Sequence, residues 1–318
     1  MTMETNAFNS FTAIGNREDL EDVIYDISPT ETPFMSNVAR TRATATFHEW
    51  QTDALAAAAA NRQLEGDAIA GQTQSPTTRV GNDCQISYKS ITVSGTQDAV
   101  SKAGRARDTA YLTAKAGREL KRDIEFALTQ NQAASVGGAT TARSLAGVEG
   151  WLSTNYNDNG VGTTPGVASG RVGTAPTDGT TRALTETLLK AVIKTVWSAG
   201  GDPKVLMVGP FNKQTVSGFG GIATIYKNAP AGQATIVGAA DLYVSDFGEH
   251  TVVPNRFSRD RTALVLDMDY WAVAYLRPIQ SINLARTGDA EKRAILAEYT
   301  LVSRNEAASG KVADLTTA

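Results

Sequence analysis

Residues Arg107–Ala134, RDTAYLTAKAGRELKRDIEFALTQNQAA, read as one long helix around which the rest of the chain is organised. Leu112, Ala116, Leu120, Ile124 and Leu128 recur every four positions with Ala127 beside them, while Lys115, Arg118, Glu119, Lys121, Arg122 and Asp123 fill the other sides. The pattern is a narrow apolar stripe on a charged rod, roughly 40 Å long at the rise of an α-helix and with no Pro to break it. Such a stripe needs an equally extended partner. On its own it fits the core of an enzyme as well as any other role, so the flanking segments decide.

The composition is that of a folded protein, with 42% hydrophobic and 20% charged residues in 318. That length holds about two ordinary domains. No apolar run reaches the roughly 18 residues of a membrane span, and MTMETNAFNSFTAIG lacks the basic-then-apolar order of a signal peptide. The expectation is a protein made in the cytoplasm that leaves, if at all, by lysis. Cys84 is the only cysteine, which excludes an intrachain disulfide and a multi-cysteine zinc site. His48 and His250 are the only histidines, and both read as structural, the first in an alternating strand and the second in a turn. The net charge of −3 is uneven: Met1–Ala39 carries seven acidic residues against Arg17 alone, and positive charge collects between Lys102 and Arg122. That excess is too small for sequence-specific nucleic-acid binding and leaves weak, salt-sensitive phosphate contact.

Residues 1–40 look like an arm, with a short helix expected over Glu18–Ile27 that Pro29 and Pro33 stop. Its apolar residues, among them Phe8, Phe11 and Phe34, are too few to fold alone. A strand-like run, Arg42–Thr52, contains Phe47, His48 and Trp50, and a second, Cys84–Val93, contains Ile86, Tyr88, Ile91 and Val93. Between them lie about thirty polar or small residues, Arg62 and Arg79 included, which predicts a two-stranded projection reaching to a neighbour. Ser135–Thr181 is punctuated by glycines, with LAGVEGWL (Leu145–Leu152) as its one core anchor. A broad apolar face from Leu184 to Trp197 predicts a helix stopped by Gly200 and Gly201. Short helical and apolar runs at Phe211–Phe219 and Ile222–Tyr226 follow, then strand after strand to Ser303, so the class is α+β.

No constellation for chemistry emerges. GDAIAGQT (Gly66–Thr73) has the glycine spacing of a phosphate loop, but Gln72 stands where a lysine is required. Gly218–Gly221 lacks dinucleotide-fold spacing, no GxSxG elbow exists, and Asp267 with Asp269 reads as an ordinary acidic turn before it reads as a metal site. No catalytic residue, cofactor or metal is therefore assigned.

The order of parts, an arm, a hairpin projection, a long charged helix, an inserted mixed domain and a return to long strands, resembles the major capsid (major head) proteins of tailed bacteriophages, the Hong Kong 97 (HK-97-like) fold. The wording is similar too: PTETPF (Pro29–Phe34), MVGPFNK (Met207–Lys213), YVSDFG (Tyr243–Gly248), VVPNRF (Val252–Phe257), AYLRP (Ala274–Pro278), TGDAEK (Thr287–Lys292) and EYTLVSRNEAA (Glu298–Ala308). These stretches keep their order over nearly the whole chain.

The resemblance implies an N-arm at 1–40, an extended loop at 41–101, a peripheral domain at 102–144 and 269–318 whose spine helix is 107–134, and an axial domain at 145–268. It implies self-assembly into hexamers and pentamers of an icosahedral head around double-stranded DNA, with a portal, a separate scaffolding protein and in some cases a decoration protein as partners, and no membrane. Self-assembly contacts are expected at Phe8, Phe11, Phe34, Phe47, Trp50, Arg62 and Arg79, and a lumen- or DNA-facing role at Arg118, Lys121 and Arg122. Two departures stand out. The arm begins almost at Met1 without a scaffolding segment, and Leu55–Asp83 contains no lysine, which argues against the Lys–Asn cross-link known in part of the fold. The rival readings are an encapsulin-like nanocompartment shell and a metal-dependent enzyme using Asp267 and Asp269.

Overall fold

The computed structural model describes residues 29–66, 71, 74–101, 104, 106–160, 165–219 and 241–317; Phe8, Phe11 and the runs Glu18–Ile27 and Ile222–Tyr226 lie outside them. Helix α1 (Pro33–Asn37) opens on a proline, whose fixed φ suits a first helical position. It is followed by strands β1 (Ala39–Arg42), β2 (Phe47–Thr52), β3 (Thr78–Asp83) and β4 (Gln85–Ser94). Helix α2 (Gly95–Ala99) is capped by the Ser94 hydroxyl, which accepts from the Gln97 amide, and leads to the long helix α3 (Asp108–Thr129). Next come α4 (Val148–Trp151), β5 (Tyr156–Asn157), β6 (Gly166–Ala168), β7 (Arg171–Thr174), α5 (Glu186–Ser198), β8 (Val205–Val208) and α6 (Pro210–Ser217). The chain closes with β9 (Leu242–Ser245), β10 (Gly248–Pro254), β11 (Ala263–Leu266), β12 (Trp271–Asn283), β13 (Ala290–Ser303) and β14 (Gly310–Val312).

The extended partner that the α3 stripe requires is a four-stranded sheet in the order β1-β12-β13-β4. Ala116, Leu120, Ile124 and Leu128 are buried in one core with Ile295, Ala297, Tyr299 and Leu301 of β13. Strand β12 bends around Pro278, which cannot donate to the ladder, so the register shifts between Tyr275 and Gln280. The helix ends at Thr129 and not at Ala134. There the Thr129 hydroxyl and the Gln130 amide both donate to the Phe257 carbonyl, at 3.2 and 3.0 Å, and Gln130 is already extended. Ala134 donates instead to the Val172 carbonyl, 2.9 Å away.

A second core lies between α5 and a six-stranded sheet in the order β5-β14-β11-β8-β10-β9. Leu189, Val192, Ile193 and Val196 are buried there, whereas Trp197, read from sequence as part of the same face, is 56% exposed. LAGVEGWL is buried throughout, as its reading as an anchor required.

Two pairings differ from the sequence reading. The hairpin partner of β2 is β3; the run Cys84–Val93 belongs to β4, which pairs along its whole length with β13. Buried Asn82 makes the division: its side chain accepts from the Ala146 amide and donates to the Ala146 and Leu301 carbonyls, so the chain is pinned to the body before β4 begins. Residues 310–312, placed by sequence with the peripheral part, form β14 within the six-stranded sheet, between β5 and β11. Three residues are too few for a periodic signal, and the strand fits because Gly310 lets Val192, Val196 and the Asn155 carbonyl approach where a Cβ would stand.

Candidate assembly surfaces

Three regions carry groups that a soluble globular domain would not need: the arm anchor, the projecting hairpin and the outer side of α3.

The arm is fixed by a buried carboxylate. Glu125, on α3 and fully buried, accepts from the backbone amides of Phe34 and Met35 at 2.7 and 2.8 Å and from the Asn255 side chain at 2.7 Å. The two amides belong to the first turn of α1, where N–H groups have no helical acceptor, so the carboxylate satisfies them. Burial pushes the Glu125 pKa up, and the three donors act against that shift. Phe34 packs edge-on to Trp271 at 6.4 Å, and Met35 and Val38 join the same core. The sequence reading made Phe34 a contact between copies; it is instead fully enclosed by its own chain. From this anchor β1 runs parallel to β12, Ala39 opposite Ala272 to Arg42 opposite Tyr275.

The hairpin β2–β3 carries the loop from Asp53 to Gly66, which is exposed residue by residue, with Leu55 99% and Leu64 81% exposed. Arg62 is exposed on this loop, and Arg79 is exposed beside Glu49, to which it is paired. The root of the projection is fixed. Arg171 of β7 binds Asp83 at 2.6 Å and lies 4.2 Å over the Phe47 ring, and Trp50 packs on Trp151 with ring centroids 5.4 Å apart. Gly170, at φ +73°, accepts from the Gly81 amide at 2.7 Å; a Cβ at Gly170 would meet the Arg79 carbonyl at 2.4 Å. Phe47 and Trp50, expected to contact a neighbour, therefore serve the base of the projection within their own subunit.

On α3, Arg118 and Lys121 are exposed, and half-buried Arg122 lies 5.7 Å from the centre of the Phe257 ring. Phe126 on the same helix is 54% exposed.

Other titratable groups are used structurally. His250 is buried between the Pro203 carbonyl at Nδ1 and the Ser245 hydroxyl at Nε2, and burial lowers its pKa. Cys84 is buried and its thiol is pushed up to about 11 by that burial, which removes thiolate reactivity. Asp267 accepts from the amides of Asp202 and Asp269, so it caps a turn. Among the described residues no group of three His, Cys, Asp or Glu side chains is placed to hold a metal ion. A buried network unread in the sequence joins Glu149 to Arg259 at 3.0 Å and Lys311 Nζ to the Glu149 carbonyl at 2.6 Å. Burial there pushes Lys311 down to about 8.

Solved capsids superpose on the whole molecule. The cyanophage A-1(L) capsid asymmetric unit aligns with a TM-score of 0.72 and 14% identity over 97% of this chain and 99% of that one. The capsid of the native GTA particle aligns with a TM-score of 0.64 and 11% identity over 96% and 98%. The fold is thus that of the Hong Kong 97-type phage major capsid proteins. At the level of sequence, the model of the SU10 major capsid protein family matches residues 3–316, and the chain belongs to that family. It is also similar to the major capsid protein of Escherichia phage Phieco32, at 25% identity over 95% of each chain. The protein is a phage major capsid protein and a component of the virion head.

Proposed function

We propose that copies of this chain close an icosahedral head of hexamers and pentamers around double-stranded DNA, and that the chain acts by geometry alone, without catalysis. The division into N-arm, extended loop, peripheral and axial parts follows, with β14 assigned to the axial sheet. A shell of quasi-equivalent subunits needs heterologous contacts that close and segments that adapt in angle between the two kinds of capsomer. The observation that carries this reading is the projecting loop. Leu55 and Leu64 stand almost fully in water at the end of a hairpin whose root is held rigid. A neighbouring subunit supplies the cover they lack, and Arg62 beside them contributes at the rim of that contact. Contact with packaged DNA is weak and non-specific in a chain of net charge −3. A separate scaffolding protein, a portal and a decoration protein are the further partners of this assembly.

The test is the double variant Leu55→Ser/Leu64→Ser. It should remain folded, since neither side chain is buried in the subunit, and should fail to form closed particles by electron microscopy. Normal particles from this variant would refute the role given to the projection.

A further inference from the structure

The four-stranded sheet has two faces, and α3 covers one of them. Side chains alternate along a strand, so β4 turns Ile91 toward the α3 core and Ile86 and Tyr88 to the other face. On that face the register sets Tyr88 opposite Leu296, Leu296 opposite Gln280, and Ala294 opposite Ile282. One end of it is covered by the root of the chain's own hairpin: Ala43 and Cys84 are buried with Ala272, Ala274 and Val302, and Trp50 packs on them. Among the described residues nothing covers the other end. Tyr88 is 65% exposed there, Ile86 and Leu284 are 43% exposed, and Ile282 and Leu296 are half-buried beside them. Grouped apolar exposure of this kind marks an interaction surface, where a single exposed residue does not.

A fitting occupant is carried by the same chain. Leu55 and Leu64 are the most exposed large apolar residues described, and within the subunit their loop stays in solvent, so it covers no part of this face. Between them Ala56–Ala60 offer only methyl groups, which let an extended backbone lie close on a sheet with a leucine anchored at either end. Charge agrees. Buried Glu298 on this face binds Arg143 at 2.6 Å and Arg277 at 2.8 Å, one carboxylate between two guanidiniums, and the same alternation places Lys292 on this side. The loop Asp53–Gly66 carries Asp53 and Glu65 against Arg62 alone. On the shell reading given above, we propose that this loop of a second copy lies across the bare end of the sheet face, with Leu55 and Leu64 on Ile86, Tyr88 and Leu296 and with Glu65 beside Arg277. Donor and acceptor surfaces differ, so the contact is heterologous and passes from copy to copy around a ring, as hexamers and pentamers require. Apolar burial on a flat face is non-directional, so the hairpin can pivot between the two kinds of capsomer without losing a specific pair.

The test co-assembles two full-length single variants, Leu64→Cys and Tyr88→Cys, with buried Cys84 left in place. A link between positions 64 and 88 can then form only between copies. Mild oxidation and non-reducing electrophoresis should give a dimer band, and peptide mass mapping should assign it to 64 and 88. The control pair Leu64→Cys and Val244→Cys puts the second thiol on exposed β9 of the other sheet and should link at least about tenfold less, since yield follows the effective concentration that geometry sets. Equal yields would overturn the proposal. The unmodified protein gives a second reading that needs no added cysteine. Tyr88 should iodinate readily in free subunits and lose that reactivity in closed shells. Shells in which Tyr88 reacts as it does in free subunits would refute the seat and leave the shell reading standing. Protection of Tyr88 without a 64–88 link would assign the face to a different occupant and overturn the proposal as well, and failure to form shells at all would overturn both.

Discussion

Glu125→Ala is expected to release the arm from the subunit. The change leaves the amides of Phe34 and Met35 without the acceptors they have at 2.7 and 2.8 Å, in a site buried from solvent. Each buried donor stranded in this way costs about 1–3 kcal/mol. The Asn255 amide loses less, because it also lies 3.3 Å from the Met207 sulfur. The two amides together therefore cost about 2–6 kcal/mol, a large part of the roughly 5–15 kcal/mol that holds a typical domain folded. It need not appear in full as global instability, because α1 can detach while α3 keeps its packing on β13. Two assays separate these outcomes. Urea unfolding reads the global loss, and hydrogen exchange at Phe34 and Met35 reads local release. Glu125→Gln should fall between wild type and alanine, since it keeps one acceptor oxygen but turns an N–H donor toward another donor. A Glu125→Ala protein within about 0.5 kcal/mol of wild type, with Phe34 and Met35 still protected from exchange, would refute the reasoning, since surface-like behaviour of that size is what a non-anchoring residue gives.

Lys311 predicts a pH dependence. Its folded value of about 8 lies below the ordinary 10.5 of an unfolded lysine, so between these the unfolded chain binds more protons and stability rises with pH. At about 1.4 kcal/mol per pH unit separating the two values, the rise is at most about 3 kcal/mol, complete near pH 10.5, and Lys311→Met should lack it. An identical slope in the methionine variant would contradict the assignment. Mature particles boiled in detergent and reductant should give one band near 33.6 kDa, because Leu55–Asp83 holds no lysine and Cys84 is buried. A ladder of pentamer- and hexamer-sized bands would refute this and make Lys89 the first donor to mutate.

Much of the fold was legible because its signals are periodic. The four-residue spacing from Leu112 to Leu128 marks the buried face of α3, and the alternating and apolar runs from Leu242 to Ser303 mark strands. The class resemblance rests on the order of those parts. What sequence reading missed depends on single buried polar groups. Glu125 looks like one more charge on a charged helix; only the arrival of α1 makes it an anchor. Asn82 in a polar run gives no sign that it ends the hairpin and releases β4 to β13. Lys311 sits in a three-residue strand too short for any period to appear. Among the residues assigned to assembly, Phe34, Phe47 and Trp50 were chosen as aromatic rings in segments without a core of their own. The core they join comes from distant sequence: Trp271, Arg171 and Trp151. Leu55 and Leu64, the most exposed apolar residues of the projection, lay in a stretch whose polarity hid them.

The central claim, that this chain closes a shell of hexamers and pentamers through its own contacts, is tested most directly by electron cryomicroscopy of the purified full-length protein after assembly. The account predicts closed icosahedral particles in which the Asp53–Gly66 loop of each subunit lies on its neighbour, burying Leu55 and Leu64. Particles in which that loop remains in solvent, or a protein that stays monomeric under every assembly condition, would contradict it.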